Sequence, residues 1–254
     1  MAHPPGLSQS SVDADRAQDP DRDRAHPWAA EKKAKALPIE DLERIVAQLA
    51  SAGTLKAARD NALLQIRFCG GMRKSELVAI EVEHVGWAPE GIEIMLLRSK
   101  TDQLGEGGIK AIPYSAGPCC PATALRAWLN ASGTTAGPVF RPISRWGVVA
   151  DTALSEGSVN DVLAACATLG GLDYVPELSS HSLRRGMATS AHRAGADFRD
   201  IKKQGGWRHD GTVQGYIEEA SRFEENARQL AALAHQTRLN VHQPVPVFVA
   251  ANQR

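Results

Sequence analysis

The chain lacks any excess of charge. Its 254 residues carry 29 Lys+Arg against 29 Asp+Glu, so no global positive field draws it to nucleic acid or to an anionic surface. It also lacks a run of about 18 apolar residues, which excludes a membrane-spanning helix by hydropathy. The first residues have no apolar stretch, so no secretory signal is expected. The four cysteines, Cys69, Cys119, Cys120 and Cys166, form no Cys-x-x-Cys and no Cys/His pattern with metal spacing. They read as buried or incidental thiols of a reducing compartment, and the cytoplasm is the expected location. No cofactor and no metal is expected. Aromatic residues make up only 5% of the chain, and Tyr114, Tyr174 and Tyr216 are its three tyrosines.

What charge there is, is segregated. Acidic residues gather near the start, at Asp13, Asp15, Asp19, Asp21 and Asp23. Between Arg184 and Arg208 the balance turns basic: Arg184, Arg185, Arg193, Arg199, Lys202, Lys203 and Arg208 face Asp197 and Asp200. A nucleic-acid partner would therefore be drawn by the local distribution of charge and not by its sum.

Residues 1–36 show no sustained apolar period and read as a flexible or partly helical leader. Leu42, Ile45, Val46 and Leu49 then follow the spacing of an amphipathic helix. A second helix is expected from about 55 to 69, stopped by Gly70-Gly71, since glycine accepts the left-handed geometry of a helix end. Arg73 falls just past that stop, at the start of the next helical turn. Ile92, Ile94 and Leu96 alternate with Glu93 and Met95, a polar Gly-rich stretch follows, and 109–112 returns as a second strand: a β-hairpin with a long loop. Lys100 sits where the first strand gives way to the loop. Further helices are expected at about 121–131, 156–169, 181–194, 198–204, 211–219 and 222–234, and residues 236–254 read as a tail. The fold class is α+β, mostly helical with one small antiparallel sheet.

One stretch carries most of the chemistry. Residues 178–217 read LSSHSLRRGMATSAHRAGADFRDIKKQGGWRHDGTVQGYI. His181 and Arg184 form a His-x-x-Arg pair, Trp207 closes a Gly-Gly-Trp, and Tyr216 lies nine positions on. Upstream stand Arg73 in GGMRKSEL and Lys100 in RSKTD. Breaking a DNA phosphodiester needs a nucleophile, cations on the non-bridging oxygens and an acid for the leaving oxygen. Arginine suits the phosphate, because its planar fork donates two parallel hydrogen bonds. A phenol, two arginines, a lysine, a histidine and an indole donor suffice without metal.

In order and spacing these residues resemble the catalytic set of the tyrosine recombinase (phage integrase) family, over roughly 37–235. GGMRKSEL is similar to the family's G-L-R-x-S-E-L box and HSLRR to its H-x-L-R box. The resemblance implies a mainly helical catalytic domain with a small sheet against one side. It implies that Tyr216 is the nucleophile, forming a 3′-phosphotyrosine, and that Arg73 and Arg184 clamp the phosphate. His181 would orient Tyr216 or exchange protons with it, and Lys100 on the hairpin would protonate the leaving 5′-oxygen. Lys110, on the return strand, is the competing candidate for that acid. Trp207 stands where many members have histidine; an indole donates a hydrogen bond but cannot accept one or act as acid or base. Glu76 would hold an arginine or a helix turn in place. Arg185, Lys202, Lys203 and Arg208 are candidates for contact with the DNA backbone, which positions a duplex without reading its sequence.

The family usually carries a helical core-binding domain of roughly a hundred residues ahead of this one. Residues 1–36 cannot supply it, so that domain is expected to be absent. The implied partners are double-stranded DNA and three further copies, as a tetramer on two duplexes, with SRFEENARQLAALA after Tyr216 as a docking helix. The expected function is site-specific recombination or integration. The alternatives are a non-catalytic DNA-binding or interaction fragment that modulates a full-length recombinase, and DNA relaxation of the type IB topoisomerase kind.

Overall fold

A computed structural model describes residues 34–97 and 108–218. Lys100, the helix expected at 222–234 and the tail lie outside the described residues. The first helix, α1 (Ile39–Ala52), buries Leu42, Ile45, Val46 and Leu49, the stripe that its sequence period predicts. The second, α2 (Leu55–Cys69), starts at Thr54, whose hydroxyl accepts from the Ala57 amide at 3.1 Å and satisfies an otherwise orphaned donor. It stops as the two glycines predict. Gly71 sits at φ 56°, its amide reaches the Phe68 carbonyl, and the Met72 amide reaches the Arg67 carbonyl. Those two bonds form a Schellman motif.

Helix α2 is the axis of the body. It packs against α1, against α4 (Pro121–Ser132) and against α6 (Ser182–Arg193). So much cover buries even polar positions. Arg59 and Asp60 pair at 2.6 Å with both side chains inside, and Arg59 also donates to the Arg141 carbonyl at 3.2 Å. A buried pair is tolerable only with its hydrogen bonds completed, and here the Arg141 carbonyl completes Arg59 while Lys56 donates to Asp60 at 2.9 Å. On α4, Trp128 is fully buried and donates its indole N–H to the Val139 carbonyl at 2.8 Å. Helix α5 (Glu156–Leu169) is capped by Ser155, which accepts from the Ser158 amide at 3.1 Å.

The sheet has three antiparallel strands in the order β1 (Val85–Ala88), β2 (Gly91–Leu96), β3 (Gly108–Pro113). Ile92 faces Ile112 and Ile94 faces Lys110 across β2 and β3. The core side holds Ile92, Ile94, Leu96 and Ile112; Glu93, Met95, Ile109 and Ala111 look outward. The hairpin is therefore found as expected, with β1 as an added edge strand. A short helix, α3 (Lys74–Val78), joins α2 to the sheet and begins directly after Arg73.

The C-terminal part is a layer of its own. Helices α7 (Phe198–Gly205) and α8 (helical over 210–218) close on α6 around Ala188, Ile201, Val213 and Ile217. Val213 and Ile217 are four apart and share a helix face. Their burial contributes about 1.5–3 kcal/mol each, enough to hold the short α8 in place. Tyr216 precedes Ile217, so anchoring that face sets where the phenol goes.

Candidate active site

Three chain turns converge on one spot. The first is the end of α2, where Gly71's positive φ turns its carbonyl toward α6. The Arg184 guanidinium donates to that carbonyl. A side chain at Gly71 would also run into Met187 and the backbone of Gly205, so this turn requires glycine on two counts. The second is the start of α3. Arg73 occupies the position before the helix, and the buried Glu76 carboxylate accepts from its amide at 2.8 Å and from its guanidinium at 2.5 Å. Glu76 therefore holds both ends of Arg73. Helix α3 is also tied to α5 by Lys74 and Glu156 at 3.8 Å.

The third is the end of α7. Its last carbonyls at Lys202 and Lys203 accept from the amides of Trp207 and Gly206, another Schellman closure, with Gly206 at φ 63°. The closure seats the Trp207 ring against Gly205, where a Cβ would overlap the ring. The Arg184 guanidinium lies 4.7 Å over the other part of this environment, the Trp207 ring centroid. Trp207 in turn meets Tyr216 edge to face, with centroids 5.9 Å apart and planes at 68°. Arg185 lies 5.1 Å over the Tyr216 ring.

Arg73, Glu76, Arg184, Trp207 and Tyr216 thus form one connected group. His181 is the residue before α6, with its side chain at the surface beside them. Its amide donates to the Ser179 hydroxyl at 3.2 Å. Its imidazole is held below the usual histidine range, first by loss of hydration and then by the charges of Arg184, Arg67, Arg185 and Lys74. A neutral imidazole can accept a proton. Arg184 is pushed down to about 10, by burial first and by Arg73 second, while Glu76 and Tyr216 act the other way. It stays charged at neutral pH. Two cations pressed together and short of carboxylate make a place for an oxyanion.

The basic candidates divide. Arg185 is 4% exposed and stacks on Tyr216 instead of lying on an open face. Lys202 is paired with Asp210. Lys203 and Arg208 are exposed.

Two residues that matter here, Arg67 and Gln204, are not singled out by the sequence, and a third, Lys110, is read there only as a rival acid. Arg67 is 1% exposed inside α2 and donates to the carbonyls of Met72, at 3.4 Å, and Ser180. It thereby links the residue before Arg73 to the residue before His181. Lys110 points inward from β3 and donates to the Gln204 carbonyl. Gln204 itself donates to the Cys69 carbonyl at 2.8 Å. A signal existed for Lys110: it is two positions from Ile112 and so shares the core side of the strand. None existed for Arg67, whose partners are distant backbone atoms. Among the described residues no cluster of His, Cys, Asp or Glu is arranged to hold a metal ion, and no helix is long and apolar enough to cross a membrane.

A helical body with a three-stranded sheet, and arginines gathered around a tyrosine and an indole, define a tyrosine-recombinase type of catalytic domain. Residues 35–222 match the model of the phage integrase family, and the chain belongs to that family. It is 39% identical over 184 residues to an integrase/recombinase XerD homologue of Selenomonas ruminantium, covering 72% of this chain and 54% of that protein. The chain thus spans about half the length of that relative. Among solved structures, the XerA recombinase aligns with a TM-score of 0.57 at 20% identity, over 78% of this chain and 65% of the other. The XerH site-specific recombinase bound to its palindromic difH substrate, a post-cleavage complex, aligns at 0.58 and 17% identity, over 78% and 54%. A lambda integrase tetramer bound to a Holliday junction aligns at 0.52 and 16% identity, over 75% and 50%. These three share the fold with this chain.

Proposed function

We propose that this chain cleaves and rejoins DNA strands through Tyr216, as the chemical step of site-specific recombination or integration. The observation that carries the reading is the single group formed by Arg73, Arg184, Trp207 and Tyr216, in a chain that belongs to the phage integrase family. Tyr216 Oη attacks the phosphorus and the bond from phosphorus to the 5′-oxygen breaks. The phenol's proton passes to His181, which is suited to accept it while neutral. The leaving 5′-oxygen takes a proton from Lys100. Arg73 and Arg184 hold the non-bridging oxygens, and Trp207 supplies one N–H donor. The product is a 3′-phosphotyrosine and a free 5′-hydroxyl. One phosphodiester replaces another, so the step reverses without nucleotide. The side-chain cations bring the charge that a metal supplies in other phosphoryl-transfer sites.

The partner is duplex DNA, and Lys203 and Arg208, exposed beside the site, position its backbone. Arg185, over the ring of Tyr216, helps fix the nucleophile. Four copies on two duplexes would exchange strands, an arrangement in line with the lambda integrase tetramer on its junction. The test uses a pool of nicked duplexes with randomised sequence, in which cleavage releases a short fragment and traps the covalent complex. An SDS-resistant complex should form, and adding a strand with a 5′-hydroxyl should release it as joined DNA without ATP. Failure to trap any complex, or a complex that no 5′-hydroxyl strand resolves, would count against the reading.

A further inference from the structure

The sheet's core side is apolar except for one residue. Ile92, Ile94, Leu96 and Ile112 are buried there, and Lys110 stands directly opposite Ile94 on the same side. A lysine in such a row loses hydration along with its apolar neighbours, so its position calls for a partner. The partner is the backbone carbonyl of Gln204 in the last turn of α7. Carbonyls in a last turn have no partner within the helix and carry the negative end of its dipole, which suits an ammonium.

Gln204 is held from both sides. Its side-chain amide donates to the Cys69 carbonyl, at the end of α2, at 2.8 Å and to the Ala111 carbonyl, next to Lys110 on β3, at 3.3 Å. Three elements that are distant in sequence therefore meet at one residue. The ammonium also lies beside the turn that presents Trp207: a Cβ on Gly206 would stand 3.6 Å from Lys110 Nζ. From Cys69 the chain runs two residues to Gly71, whose carbonyl receives Arg184. Upstream of β3 lies the segment 98–107, which contains Lys100.

We infer that Lys110 is a positioning residue for strand cleavage: with Gln204 it clips the hairpin to the end of α7 and fixes the turn that presents Trp207 to Arg184 and Tyr216. The inference rests on the cleavage chemistry proposed above. It separates the two hairpin lysines by task. Lys110 Nζ is engaged on a backbone carbonyl within the body, so the clip holds the strand from which the Lys100 segment leads. The Lys110 ammonium is lowered to about 8, by burial first, with Glu76 opposing and Arg184 and Arg73 adding to the fall, which places it within electrostatic range of the same group.

The test compares the full chain with its Lys110→Met and Lys110→Arg variants. Methionine keeps an unbranched stem but cannot donate; arginine donates to a carbonyl but is a poor acid at neutral pH. Amide hydrogen exchange, read without DNA, should rise roughly tenfold or more over 203–208 and 109–113 in Lys110→Met, as expected for loss of a charge-assisted bond. Exchange over 121–132 should stay unchanged, and Lys110→Arg should restore most of the protection. Adduct formation should slow about 10- to 100-fold in Lys110→Met, with DNA affinity within about twofold, and should recover in Lys110→Arg. Unchanged exchange at 203–208 in Lys110→Met would overturn the inference. So would a Lys110→Arg variant that stays slow on ordinary DNA yet is restored by a 5′-sulfur leaving group, because Lys110 would then be the acid itself. If the wild-type chain forms no adduct, the cleavage chemistry fails while the exchange comparison still decides whether the clip exists.

Discussion

Gly205→Ala places a methyl group where the structure has an indole. The added Cβ would overlap the six-membered ring of Trp207, so either α7 or the ring must move. Overpacking of this kind costs about 1–3 kcal/mol. Alanine in a helix regains up to about 1 kcal/mol over glycine, which offsets part of the strain. A displaced ring also gives up its contact with Arg184, worth roughly 0.5–2 kcal/mol. Its edge contact with Tyr216 is worth a further 0.5–1.5 kcal/mol or so. These terms overlap, and a net loss of about 2 kcal/mol is the central expectation, or about 4–8 °C in Tm for a domain of this size. The cleavage rate should fall further than stability alone requires, since the ring bridges Arg184 and Tyr216. Gly211→Ala is the control: a Cβ there meets open space within α8, so its Tm should hold or rise slightly. Thermal melts and single-turnover cleavage of both variants give the answer. A Gly205→Ala protein that melts and cleaves like wild type would show that Trp207 is not seated on this glycine.

Other consequences follow from the same geometry. The acid limb of the cleavage rate should lie below pH 6.5, because burial and four neighbouring cations hold His181 neutral below its usual range; activity is full above that limb and falls as pH drops through it. Arg67→Met removes one of those cations and should move the limb upward toward 6.5; a limb at or above 6.5 in wild type would contradict the assignment. Glu76→Ala releases both ends of Arg73 and should slow cleavage by about 10- to 100-fold with little change in DNA affinity, Glu76→Gln falling between; an anisotropy titration with parallel kinetics checks it. Lys100→Ala should slow cleavage of ordinary DNA, and a 5′-phosphorothiolate, whose sulfur leaves without a proton, should restore the rate; no selective restoration would remove Lys100 as the acid.

Much of this architecture is legible in the sequence, for reasons that differ by element. Helix α1 declares itself because one face is buried and the other wet, so Leu42, Ile45, Val46 and Leu49 fall into register. The end of α2 is legible because Gly70-Gly71 permits a geometry that other residues resist. Strand β1 is not, since VGWA has burial only at its ends and no alternation to read. Helix α2 hides more. Arg59, Asp60, Gln65 and Arg67 are polar by composition, yet all four are buried, because α1, α4 and α6 cover the helix on several sides. The site shows the same split. Arg73, Arg184, Trp207 and Tyr216 are found together, as their motifs imply, because each sits at a helix end or on a face fixed by local chain geometry. Arg185 differs: the sequence places it with the basic residues, whereas packing of α8 on α6 puts it over the Tyr216 ring. The roles of Arg67, Lys110 and Gln204 depend on backbone carbonyls some 94 to 135 positions away, which no local pattern encodes.

The most direct measurement sets wild type beside Tyr216→Phe on the same pool of nicked duplexes. Phenylalanine keeps the ring that packs on Trp207 and under Arg185 and removes only the hydroxyl, so folding and DNA binding should be nearly unchanged. Wild type should yield an SDS-resistant protein–DNA complex whose digested peptide carries the 3′-phosphate on Tyr216, and Tyr216→Phe should yield none. A covalent complex formed by Tyr216→Phe, or a wild-type adduct that maps to another residue, would contradict the account at its centre.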